Sequence, residues 1–232
     1  MRHTIQQKQL GKLRDIVVLT VAVLGVTLRM EVRASELWGG EAHITPRVTA
    51  GFVSWDELRN RGGHKSLGGV GLNLDYLVHD VGVSLDLWKW WVSEGLDSSE
   101  GVMPEDGHRI GLEARRMFSV DERVKWFPYV GVAYEEWKRD RVLGKWSTVD
   151  FWSAAIGVGL QLEAGHFLKA GITQCFSPDM DTDGSPDGRV GFESEGGVRL
   201  GKFSIGLFCR GAGFQEPDAK LLQAGGFLSY MF

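Results

Sequence analysis

Two cysteines are all the chain contains, too few for a disulfide framework or a cysteine-based metal centre. Proline is scarce as well, with six residues, and no Pro/Ser-rich linker divides the sequence, so one folded domain is expected. Apolar residues spaced i, i+3, i+4 hardly recur, which argues against a helical protein. Basic charge is in deficit: 26 Lys/Arg stand against 30 Asp/Glu. A chain without a basic face is a poor nucleic-acid binder, and no nucleic-acid partner is expected.

Long apolar runs are missing except for one. Ile16 to Leu28 is apolar but shorter than the roughly 20 residues a spanning helix needs. Arg2, Lys8, Lys12 and Arg14 precede it, and the small residues Val32 and Ala34 follow. A basic start, a short apolar run and small residues at a cut site predict a signal peptide over residues 1–34. Residues 35–232 then form the domain. Removing the six Lys/Arg and two acids of the leader moves the formal charge from −4 to −8.

Glycine and aromatics are plentiful. The chain has 32 glycines, about twice the usual frequency of roughly 7%. Period-two alternation runs through most of the sequence. Val70, Leu72, Leu74 and Tyr76 alternate with Gly71, Asn73 and Asp75. Val81, Val83, Leu85 and Leu87 alternate with Gly82, Ser84 and Asp86, and Ala154, Ile156, Val158, Leu160 and Leu162 oppose Ala155, Gly157, Gly159, Gln161 and Glu163. Such segments are strands with one apolar and one small or polar face. Extended along the chain, the pattern predicts ten strands, at 46–55, 66–78, 81–91, 108–118, 125–137, 148–163, 167–177, 189–200, 202–214 and 220–232. The connections after odd-numbered strands are long or medium and those after even-numbered ones tight. An even count with alternating loop lengths predicts an all-β fold, an up-and-down antiparallel transmembrane β-barrel. Eight strands is the runner-up, because strands 1 and 8 alternate weakly.

Alternation alone fits a soluble lipocalin-like barrel equally well, with the apolar face inside. Aromatic position and the polar face favour the membrane. Trp55, Trp90, Trp91, Trp137, Trp152 and Phe214 fall near one set of strand ends. Tyr76, Phe118, Trp126, Phe167, Phe203, Tyr230 and Phe232 fall near the other. Two belts at the headgroup levels are expected of a barrel in lipid. The polar phase combines repeated glycine with Asp75, Asp86, Glu113, Arg115, Glu135, Glu163, Lys169, Glu193, Glu195, Arg199 and Arg210, as a narrow lumen with paired charges would. Pro128 falls near the start of strand 5, where proline is tolerated.

The stretches "GGFLSYMF" and "WFPYVGVAYEEW" resemble bacterial outer-membrane β-barrels, broadly of the OmpA-like transmembrane type. The resemblance implies the outer membrane as location and outer-membrane lipid and lipopolysaccharide as partners. It also implies recognition by the barrel assembly machinery through Leu228, Tyr230 and Phe232. A monomer with a structural or surface-interaction role, a mostly filled lumen and no catalysis is expected. The alternative is a narrow porin-like channel for small solutes.

Three loop features invite chemistry. In "SPDMDTDGSPDG", Asp179, Asp181 and Asp183 followed by Gly184, with Asp187 beyond, match the start of a Ca²⁺-binding loop. The twelfth position is Val190 where a bidentate Glu is expected, so a solvated acidic turn and looser cation bridging to lipopolysaccharide stand beside the calcium reading. Otherwise no cofactor is expected. Ten strands also resemble the omptins, rim proteases with Asp–His pairs, and "DGH" sets Asp106 beside His108 in what reads as an external loop. The omptins also carry an acidic pair, and here "DMD" sets Asp179 beside Asp181 in the fourth external loop, so the pair types come in the opposite loop order to that family. "HKS" (His64, Ser66) resembles lipid A deacylases without an identifiable acid partner. Cys175 and Cys209 fall on non-adjacent strands in opposite phase, which predicts two free thiols.

Overall fold

The computed structural model describes residues 40–57, 64–92, 104–142, 145–180, 187–215 and 219–232. The expected signal peptide lies outside these residues. Ten long strands are β1 (Glu41–Glu57), β2 (His64–Val78), β3 (Val81–Val92), β4 (Pro104–Arg116), β5 (Val124–Val142), β6 (Lys145–Leu162), β7 (His166–Met180), β8 (Gly188–Leu200), β9 (Phe203–Phe214) and β10 (Ala219–Tyr230). Each pairs antiparallel with the next, and β1 pairs with β10 from Arg47↔Ser229 to Glu57↔Ala219, so the sheet closes. The fold is the ten-stranded up-and-down barrel expected from the alternation, and the eight-strand alternative is excluded. Closure pairs the first strand with the last, so no strand of the barrel is an edge strand, the condition for a sheet to sit in lipid.

The side-chain polarity is inside-out. The outward phase of β6, Ile156, Val158 and Leu160, is exposed, with Ile156 66% accessible. Leu207 on β9 is 71% accessible, and Ile110, Leu112, Val130, Leu168 and Ile172 continue the band around the barrel. The inward phase carries the charged residues. In water an exposed apolar surface of this extent would be unstable, whereas acyl chains solvate it. Strands of 12 to 19 residues are long enough for lipid, which needs about 9–11.

Turns at one end are tight. His79 (φ 54°) and Gly201 (φ 65°) adopt left-handed conformations that reverse the chain in a few residues. A two-residue strand, Phe118–Ser119, lies in the β4–β5 turn and pairs with Trp126 and Lys125. The β4–β5 ladder itself ends at Arg115↔Tyr129, and Pro128 sits in the gap between these two stretches, where a missing N–H costs no ladder bond there. At the opposite end β5 and β6 outrun their neighbours. The connection read as a loop after strand 5 is instead ladder, pairing as far as Arg139↔Ser147 and again at Val142↔Lys145. Each of the two strands has the other to bond, so the hairpin continues beyond the apolar band.

Candidate functional site

The lumen is where the sequence concentrates its chemistry, and it is built in two layers. At the loop end, inward-pointing Val53, Leu67, Trp90, Trp137, Phe151 and Phe214 form a buried apolar plug. Trp90, Trp137, Phe151 and Phe214 are all at most 1% accessible. Trp88, Trp90 and Trp137 make a stack, with centroids 5.8 and 5.3 Å apart and planes within 9° of parallel. Phe151 meets Phe214 edge-on at 5.1 Å.

Glycine on the neighbouring strand makes room for several of the large inward rings. Trp90 is directly opposite Gly69, Trp88 opposite Gly71, and Trp137 opposite Gly107. A Cβ added at these glycines would stand 2.4, 2.5 and 2.6 Å from the respective indoles. Tyr129 covers Gly157 in the same way. A glycine facing an aromatic residue across a ladder is a means of filling a narrow barrel without strain.

Beneath the plug lies a layer of charge. Arg47 Nη1 donates to both carboxylate oxygens of Glu195 at 3.0 Å. Arg115 Nη2 donates to Asp75 at 2.5 Å, and Lys169 Nζ donates to Glu113. Glu193 accepts from the Tyr129 hydroxyl at 2.8 Å and lies 3.5 Å from Lys169 and 3.7 Å from Arg109. Glu135 lies 3.4 Å from Arg109 and 3.5 Å from Arg210. Burying charges is tolerable only when they are paired and hydrogen-bonded, and these side chains supply partners to one another.

Two residues join the layers. Trp137 Nε1–H donates to Glu135 at 3.2 Å, and the Arg210 guanidinium lies 5.0 Å from the centre of the Trp90 ring while donating to Gln223 at 2.7 Å. The plug is therefore tied to the charged layer by a hydrogen bond and a cation–π contact.

Of the charges expected inside, Glu163 and Arg199 are exposed at the short-turn rim. Glu163 belongs to the β6–β7 turn, beyond the point where phase has meaning. The aromatic belts also need correcting. Trp90, Trp137 and Phe214 fill the lumen at the loop end, and Phe167 points inward at the other, 6.2 Å from Phe227. Outward at the loop end are Trp91 and Trp152. At the short-turn end, Trp126 stacks on Phe118 at 4.9 Å, and Tyr230 meets Phe203 and Phe232 at 4.8 and 4.7 Å. The signal for the plug was available: Trp90 shares its phase with Asp86, Trp137 with Glu135 and Phe214 with Arg210.

Asp179 and Asp187 are exposed, whereas Asp181 and Asp183 lie outside the described residues. Among the described residues no group of three His, Cys, Asp or Glu side chains could hold a metal ion. Asp106 and His108 are on strand β4, not in a loop, and His108 faces outward beside Glu136 at 3.7 Å. The His64 side chain is outside the described set and Ser66 is exposed. Cys175 is buried in the plug, Cys209 is on the outward phase, and both are free.

No protein-family model matches the sequence, nor does any curated protein. Solved structures do match in shape. Neisserial surface protein A is 12% identical with a TM-score of 0.43, covering 84% of this chain and 99% of that one. The outer membrane protease OmpT from Escherichia coli is 8% identical with a TM-score of 0.49, covering 82% and 97%. Ail, the attachment invasion locus protein of Yersinia pestis, is 16% identical with a TM-score of 0.39, covering 83% and 99%. At these values they carry no argument about this chain, whose architecture rests on its own geometry. The closed ten-strand sheet, its lipid-compatible outer face and its charged interior are those of a membrane β-barrel of the bacterial outer-membrane type.

Proposed function

We propose that the chain is an integral outer-membrane protein whose lumen does not conduct, with a structural role or one in contacts made by its loop end at the cell surface. The aromatic plug carries this reading. Four rings at most 1% accessible, tied below to Glu135 and Arg210, close the barrel at one end. Small barrels are filled by side chains, and open aqueous channels belong to much larger ones. The outward belt and apolar band fit bilayer lipid, with lipopolysaccharide at the loop end. Leu228 and Tyr230 at the end of the closing strand, with Phe232 just beyond it, serve in this reading as the assembly signal. Leu228 is exposed outward, and the Phe232 N–H donates to the Ile44 carbonyl at 3.0 Å.

The protease named among the similar structures invites a rim-hydrolase reading. Here the Asp106–His108 stretch lies on an outward strand face, which supports no such site. The test is electrical. The full chain reconstituted in planar bilayers is expected to show no conductance steps above the lipid baseline. Reproducible single-channel openings in the wild-type protein would overturn the reading in favour of a narrow channel.

A further inference from the structure

Between the plug and the Arg47–Glu195 pair the lumen opens into a cavity of about 60 Å³. That is room for about four waters, or for one solute with three or four carbon atoms in their place. Its wall is part ring and part polar group: Trp88 and Phe208 on one hand, Arg47, Thr49, Asp86 and Glu195 on the other. Arg47, Thr49 and Trp90 are among the lining residues, and each carries a buried polar atom with no hydrogen-bond partner within the protein: Arg47 Nε, Thr49 Oγ1 and Trp90 Nε1. Thr49 and Trp90 are only 4% and 1% accessible, so these are groups withdrawn from bulk water. Leaving a buried donor unmet is costly, which makes the cavity receptive to whatever supplies acceptors.

We propose that this cavity is a binding site for a small neutral polyhydroxylated solute. Charge disfavours an ionic ligand. Arg47 is matched by Glu195, Lys169 by Glu113 and Glu193, and Arg109 and Arg210 by Glu135 and Glu193, so the wall asks for no further ion. Hydroxyl groups suit it: each can accept from the indole N–H, the Arg47 Nε–H or the threonine hydroxyl while donating to Asp86, and the carbon chain can lie against the rings. Asp86 keeps capacity for this, since its bond from Asn73 (2.8 Å) uses one oxygen. Access is from the short-turn end. The plug shuts the loop end, while the Lys169 and Glu195 side chains below it are each 24% accessible.

Saturation-transfer NMR on the full chain folded in detergent micelles, with glycerol and erythritol as probes, tests the site. Transfer that saturates with probe concentration is expected, weakened about fivefold or more by Thr49→Val, which removes one hydroxyl from an isosteric side chain. Trp90→Phe should act similarly, and Ser66→Ala on the outer face should leave the titration unchanged. Retained heat-modifiable mobility on gels confirms that each variant is folded. Transfer that grows linearly without saturating, or a saturating titration that Thr49→Val leaves untouched, would mean that only water occupies the cavity and would overturn the proposal.

Discussion

Trp137 rests on Gly107, its directly opposed partner across the β4–β5 ladder, so closely that a methyl group there would stand 2.6 Å from the indole. The indole is simultaneously stacked on Trp90 and hydrogen-bonded to Glu135, which leaves it nowhere to retreat. Gly107→Ala is therefore expected to destabilise the barrel by about 1–3 kcal/mol, the usual cost of overpacking. Urea unfolding from lipid vesicles measures it. A Gly107→Ala protein as stable as wild type would show that the indole can shift freely and that the pair is not a packing constraint.

Much of this architecture is written in the sequence, because in a closed barrel phase maps directly onto environment. Leu72, Leu85, Val158 and Leu160 read as outward from alternation alone and are outward. Glu113, Glu135, Glu193 and Lys169 read as lumenal and form the inner network. What escaped was the plug. Placing Trp90, Trp137 and Phe214 by their distance from the strand ends gave a belt, whereas their phase gives the interior. The abundance of glycine likewise reads only as a narrow lumen until the register pairs Gly69, Gly71 and Gly107 with tryptophans. Register between strands depends on loop lengths and closure, which local alternation does not encode.

The inside-out polarity makes a prediction that a soluble barrel would fail. Ile156 lies midway along β6 with its side chain 66% accessible. Replacing it by arginine puts a charge against acyl chains near the midplane and should cost about 2–4 kcal/mol in vesicles. Glu122→Arg, in the exposed β4–β5 turn, should change stability by no more than about 0.5 kcal/mol. Equal, small effects at both positions in vesicle-embedded protein would mean that Ile156 faces water.

Glu193 is the junction of the charged layer, meeting Tyr129, Lys169 and Arg109 at once. Glu193→Ala leaves cations short of a counter-ion in a partly hydrated interior. The expected loss lies toward the lower end of the roughly 3–5 kcal/mol seen when one member of a buried pair is removed. Glu193→Gln keeps the shape and an acceptor for Tyr129, so it should cost less than the alanine change. A double-mutant cycle with Tyr129→Phe isolates the hydroxyl bond, with coupling of about 1 kcal/mol or more expected for a charged acceptor. Zero coupling would remove that bond from the account of the lumen.

The plug should be removable, because its rings fill space and the ladder hydrogen bonds do not depend on them. Trp90→Ala combined with Trp137→Ala deletes two members of the stack, strips Glu135 of its indole donor and Arg210 of its ring. Each deletion sacrifices burial worth about 3–5 kcal/mol in a well-packed core, so stability will fall, but closure through β1 and β10 is untouched. The space released joins the cavity already lying beneath Trp90. A continuous water path then reaches the loop end, and the double variant should conduct small ions in planar bilayers where wild type is silent. Conductance should be small and should vanish again when Phe151 or Val149 is enlarged to tryptophan in the same background. A folded double variant that stays silent would place the block somewhere other than the aromatic stack, and the Arg47–Glu195 level would be the next position to open.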